Sequence, residues 1–186
     1  MLRLLILTFA MSLTAIFAQA QSTDTVPAIL VADDVSIDQD RVMNAQGNVE
    51  VFQGKIRLKA VSISYDRRSG SLNITGPITI QDGDDITIFA DQAELSSDLQ
   101  NGLLLGARMV LDQRLQLASV EMNRADGRYT QLYKTAVTSC QVCNDGRPPL
   151  WQIRAKRVVH DRTEQRLYFD HAQLRVGNIP VFYLPR

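Results

Sequence analysis

Two cysteines, Cys140 and Cys143, are the only ones in the chain, and they stand in a Cys-x-x-Cys spacing. Three chemistries use that spacing. A thioredoxin-type redox pair needs a βαβ context and a helix amino terminus to lower the thiol pKa, and neither is visible around it. A zinc site needs two further ligands, and His160 and His171 lack the usual spacing. A structural disulfide needs only an oxidising compartment. No Ser/His/Asp arrangement, P-loop or nucleotide fingerprint appears. The sequence therefore predicts no catalytic residue, no metal and no cofactor.

The amino terminus predicts that compartment. Arg3 precedes an apolar run from Leu4 to Phe17, broken only by Thr8, Ser12 and Thr14, and Ala18-Gln19-Ala20 is an A-x-A cleavage signature. Residues 1–20 read as a secretory signal peptide, too short for a comfortable membrane helix. Residues 21–27 read as a flexible leader. Lysine plus arginine equals aspartate plus glutamate at 20 each, so the chain has no basic footprint for nucleic acid.

The elements that must position any site repeat. Ala32, Ala60, Ala90, Ala118 and Ala155 fall 28, 30, 28 and 37 residues apart, each followed by an aspartate: Asp38, Asp66, Asp98, Asp126 and Asp161. A period near 30 means stacked supersecondary units that cannot bury their apolar faces alone. Period-two alternation runs through the chain, and its parity switches near Ala60, Ala90 and Ala118. Such a switch predicts a β-bulge or bend with a small residue where backbones crowd. The aspartates stand at turn starts, where a carboxylate accepts from the next backbone amides; capping explains them better than metal binding. The expected fold is all-β, with about five two-strand units. Residues 137–151 interrupt the pattern as a cysteine-containing loop insertion. Trp151 beside it is expected to plug the end of the stack, and His160 to be a turn residue rather than a base.

The repeat resembles a known family. Ala32-Asp33, Gly47-Asn48-Val49-Glu50-Val51, the stretch Ala60 to Asp66 and Phe89-Ala90-Asp91 resemble the OstA-like domain shared by the lipopolysaccharide transport proteins LptA, LptC and the amino-terminal part of LptD. Thr138-Ser139-Cys140, Cys143, Pro149, the stretch Trp151 to Ala155 and the ending Ile179-Pro180-Val181-Phe182-Tyr183-Leu184-Pro185 are similar to LptD in particular. The resemblance covers residues 28–186. It implies an open, twisted β-jellyroll whose hollow holds acyl chains, at the periplasmic face of the outer membrane. Implied partners are lipopolysaccharide, an LptA-like periplasmic bridge joined by edge-strand pairing, and, in a full-length protein, an outer-membrane barrel with an LptE-like plug lipoprotein. LptD-like proteins continue into that barrel; no barrel strands are expected in this chain. It reads as the periplasmic part of a longer protein. Resemblance also implies that Cys140 and Cys143 bond to cysteines in the barrel; in the isolated chain they pair with each other or stay free.

Residues expected to line the groove are Val49, Val51, Ile56, Leu58, Ile78, Ile80, Ile86, Ile88, Leu103, Leu105, Leu115 and Leu117. Each buried methylene is worth about 0.8 kcal/mol, so a twelve-carbon chain costs on the order of 10 kcal/mol to carry bare through water. An apolar groove offsets that without chemistry. Other readings are a soluble LptA-like bridge, a stacking module with a filled interior, and, in a different class, an exported thiol-disulfide oxidoreductase using Cys140 and Cys143.

Overall fold

The structure, a computed structural model, describes residues 26–38, 41–140 and 148–185. The expected signal peptide (1–20), most of the leader and Cys143 lie outside the described residues.

Valine, isoleucine and leucine at alternate positions dictate strands, and the described residues are strands joined by turns. In order they are β1 (Ile29–Val31), β2 (Asp34–Ile37), β3 (Val42–Gln53), β4 (Ile56–Asp66), β5 (Ser71–Asp82), β6 (Ile86–Ser96) and β7 (Gly102–Leu105). Then come β8 (Arg108–Leu111), β9 (Leu115–Ala118), β10 (Glu121–Ala125), β11 (Tyr129–Thr138), β12 (Trp151–Asp161), β13 (Arg166–Val176) and β14 (Ile179–Leu184). All pair antiparallel in one sheet, with a main path β1-β3-β4-β5-β6-β7-β10-β11-β12-β13-β14. β2 pairs with β3, and β8 and β9 bridge the other halves of β6 and β11.

The long strands bend at mid-length. Register shifts fall between Gln46 and Val49, between Lys59 and Ser62, and between Thr75 and Ile78, opposite Ala90 and Gln92. These are the parity switches that the sequence predicts near Ala60 and Ala90. The break between β9 and β10 after Ala118 continues the line, and Lys134 and His171 take positive φ where β11 and β13 cross it. A one-residue slip sends the next side chains to the opposite sheet face. Because the strand also bends there, the apolar rows on both sides of the slip face the same interior. Along β4 the inward row is Leu58 and Ala60, then Ile63; along β6 it is Ile86, Ile88 and Ala90, then Ala93 and Leu95. The sheet thus folds over on itself as a β-jellyroll around one core.

Turn chemistry follows the aspartates in part. Asp66 accepts from the Arg68 amide (2.8 Å), Asp98 from the Gln100 amide (2.9 Å), and Asp161 from the amides of Thr163 and Glu164 (2.9 and 3.2 Å). Asp126 differs: it sits at φ 54° and its own amide donates to Asn101 Oδ1 (2.8 Å).

Candidate functional site: the apolar interior and its seam

Of the expected groove residues, Val49, Val51, Leu58, Ile78, Ile80, Ile86, Ile88 and Leu117 are buried and face the interior. Ile56 and Leu115 are half-buried and pack against that core. Leu103 and Leu105 do not join them. Leu105 is 40% exposed, whereas Leu104 is fully buried and faces inward opposite Met122. The segment Leu103-Leu104-Leu105 has no polar residue to mark its phase, so alternation alone could not fix its parity. Met109, Met122 and Leu132 complete the inward set.

Polar residues occupy the outer ends of inward rows. Ile78 and Ile80 are followed on the same face by Asp82, Met122 by Arg124, and Val158 by His160; all three polar residues are buried. Asp82 closes one half of β5, and Arg124 stands near the end of β10 on the other side of the bend. The fold-over brings these ends together at a seam. Arg124 Nη2 donates to Asp82 Oδ2 at 2.5 Å, and Arg162 Nη1 donates to Asp82 Oδ1 at 2.8 Å. One carboxylate therefore joins two guanidiniums across the two halves. Beside them Arg128 donates twice to Asp161, Nε to Oδ1 at 3.1 Å and Nη2 to Oδ2 at 2.7 Å. The Asp112 amide donates to the Asp85 carbonyl at 2.8 Å, tying the β8–β9 turn to the β5–β6 turn.

A cavity of about 710 Å³ opens at this seam, with Gln53, Lys55, Ile56, Gln100, Arg128 and Thr163 among its walls. The paired guanidinium of Arg128, with the Glu164 and Thr163 amides, holds the Asp161 carboxyl down at about 2. His160 is not the turn residue expected from the sequence. It lies within β12, opposite Thr130 and Leu167, and burial first and Arg162 second push its imidazole below the usual histidine range. Sequence reasoning passed over Asp82, Arg124 and Arg162. The available signal was an ionisable residue two places beyond an apolar row of the same parity.

Cys140 is a half-buried free thiol two residues beyond the end of β11. Its amide donates to Thr138 Oγ1 (3.1 Å), whose hydroxyl donates to the Trp151 carbonyl (2.7 Å). The Trp151 amide first, then the Thr138 hydroxyl, draw the thiol below its ordinary pKa. No helix occurs among the described residues, so no helix dipole adds to this effect. Trp151 is half-buried at the start of β12.

Three relatives set the family context. The LPS-assembly protein LptD of Pseudoalteromonas translucida is 31% identical over 156 residues, covering 83% of this chain and 20% of that protein. LptD of Xanthomonas oryzae pv. oryzae is 29% identical over 140 residues, 75% of this chain and 17% of the relative. LptD of Hahella chejuensis is 25% identical over 174 residues, 91% and 21%. The chain thus spans about a fifth of the length of the curated relatives it matches. No protein-family model matches. A solved structure of LptH, the LptA-homologous periplasmic component of the lipopolysaccharide transport device of Pseudomonas aeruginosa, overlaps 81% of this chain and 95% of its own, at 13% identity and a TM-score of 0.35. Over 83% of its length this all-β chain is similar in sequence to the LPS-assembly protein LptD.

Proposed function

We propose that the domain carries lipopolysaccharide through the periplasm towards an outer-membrane barrel, shielding acyl chains between the two halves of its folded sheet. The observation that carries this reading is the unbroken inward apolar face from Ala45 and Val49 in β3 to Val158 and Ala172 in β12 and β13. A chain of methylenes laid against it exchanges water for Val, Ile, Leu and Met at about 0.8 kcal/mol per methylene. In the structure these residues pack on one another, so lipid entry requires the halves to part. The name of the relatives, LPS-assembly protein, supports the substrate class.

The edges support the partners. Among the described residues β1 and β2 each pair only with β3, and β14 pairs only with β13. Unpaired edges template strand addition. An LptA-like bridge would add at one edge, and the barrel with its LptE-like plug would lie beyond the other. Oxidation of Cys140 and Cys143 belongs to the same reading and fits an exported protein. Passive shielding needs no catalytic group, so the domain acts as a carrier rather than an enzyme.

Photo-crosslinking tests the carrier role. A photoreactive residue replacing Ile88 or Leu104 is expected to label lipopolysaccharide, and one replacing Arg67, on an exposed turn, is not. A folded protein giving no interior adduct refutes the reading.

A further inference from the structure

Four basic side chains, Lys55, Arg124, Arg128 and Arg162, and three acids, Asp82, Asp98 and Asp126, line the cavity at the seam. Asp82 is the shared counter-ion of Arg124 and Arg162, so this group of two guanidiniums and one carboxylate keeps one positive charge, with Asp82 and Arg124 buried and Arg162 partly exposed. Arg124 is 5% exposed, and its Nη1 has no hydrogen-bond partner. An unpaired guanidinium nitrogen and an uncompensated charge are costly to bury. Arg124 is among the residues that line the 710 Å³ cavity. Lys55 and Arg128 line the same space, and Arg128 takes its carboxylate partner, Asp161, from outside the lining. The other acids on the wall are Asp98, which accepts from the Ser96 hydroxyl and the Gln100 amide, and Asp126; among the described residues neither is ion-paired with Arg124 or Arg162.

The geometry points to this cavity as a binding site for a phosphate group carried on a glycolipid headgroup. Guanidiniums set in a fork match phosphate oxygens in pairs, and such charge-assisted bonds are the strong ones. Gln53, Gln100 and Thr163 add amide and hydroxyl groups of the kind that pair with sugar hydroxyls. The cavity also opens where the apolar rows end, with Ile56 at its wall, so a phosphate held here leaves attached acyl chains level with the interior. A phosphate competing with Asp82 for Arg124 and Arg162 would loosen the contact that joins the two halves. This inference rests on the carrier reading.

The test titrates the purified protein with inorganic phosphate, against sodium chloride at matched ionic strength, by calorimetry and thermal melting. Saturable binding is expected, weakened about tenfold by Arg162→Gln, which leaves Asp82 its ion pair with Arg124, and by Lys55→Gln at an exposed position. Asp82→Asn is expected to melt lower in chloride and to recover more in phosphate than the wild type does. Phosphate and chloride acting alike, or Arg162→Gln binding phosphate as the wild type does, overturns the site. A second arm displaces phosphate with lipopolysaccharide before and after removal of its headgroup phosphates. Displacement by the phosphorylated form alone supports the headgroup assignment; equal displacement by both forms, or by neither, overturns it. Interior crosslinks that persist with dephosphorylated lipopolysaccharide show the carrier role standing while this inference falls.

Discussion

Arg128 and Asp161 form a bidentate ion pair across neighbouring strand ends, the Nε–Oδ1 and Nη2–Oδ2 bonds measuring 3.1 and 2.7 Å. The same carboxylate caps the β12–β13 turn through Thr163 and Glu164. One ionised group thus fixes a turn and a strand contact together, which explains why its pKa lies near 2.

That pairing gives Asp161 a pH signature. Its folded pKa is depressed below the ordinary 3.8, so its stabilisation is complete above that value and is lost as pH falls towards about 2. Asp161→Asn is expected to lower the melting temperature at pH 7. The gap to the wild type narrows between pH 4 and pH 2. Melts followed by circular dichroism across that range check it; a constant gap refutes it.

The Asp82 clasp gives a second expectation. Removing one partner of a buried ion pair leaves a charge without its counter-ion and costs about 3–5 kcal/mol. Asp82→Ala leaves two arginines unpaired and is expected at the upper end. The double change Asp82→Leu with Arg124→Leu removes the buried carboxylate and the most buried cation together. It is expected to be milder than Asp82→Ala, as measured by urea unfolding.

The bend line was legible because its cause is local. Ala60 and Ala90 sit where parity switches, and the register shifts lie beside them. The caps at Asp66, Asp98 and Asp161 were legible for the same reason, since carboxylate and amides are two or three residues apart. The seam was not. Asp82 and Arg162 are 80 residues apart, and only the fold-over brings their ends together. Leu105 was misplaced because a run of leucines carries no phase.

The leucine run yields a paired test. Leu104→Ala empties a fully buried position and is expected to cost about 2–5 kcal/mol. Leu105→Ala changes a side chain on the outer face and is expected to stay within about 0.5 kcal/mol. Urea midpoints separate the two; equal losses would mean that β7 is paired one residue out of register.

His160 sets the behaviour in mild acid. Burial keeps its imidazole neutral below the ordinary 6.5, so the unfolded chain takes up a proton before the folded one does. Stability from this residue is flat above pH 6.5 and declines as pH falls below it, until the folded ring also protonates. His160→Gln is expected to abolish that slope while leaving the pH 4 to 2 loss from Asp161 in place. Unfolding free energies at half-unit steps from pH 8 to 5 decide it, and a slope unchanged by the substitution places its origin elsewhere.

The two sheet edges lead to the last expectation. Val35 and Ile37 on β2 are at least half exposed, as are Ile179, Val181 and Phe182 on β14. Neither edge owes its place to core burial, so lysine at these positions is expected to leave stability within about 0.5 kcal/mol. Lysine on an edge strand does oppose the approach of another strand. Val35→Lys with Ile37→Lys is therefore expected to reduce crosslinking to an LptA-like bridge if that edge receives it, and Val181→Lys if the bridge adds at β14. Site-specific crosslinking of both variants assigns the edge. Undiminished crosslinking in both would show that the bridge does not join by strand addition.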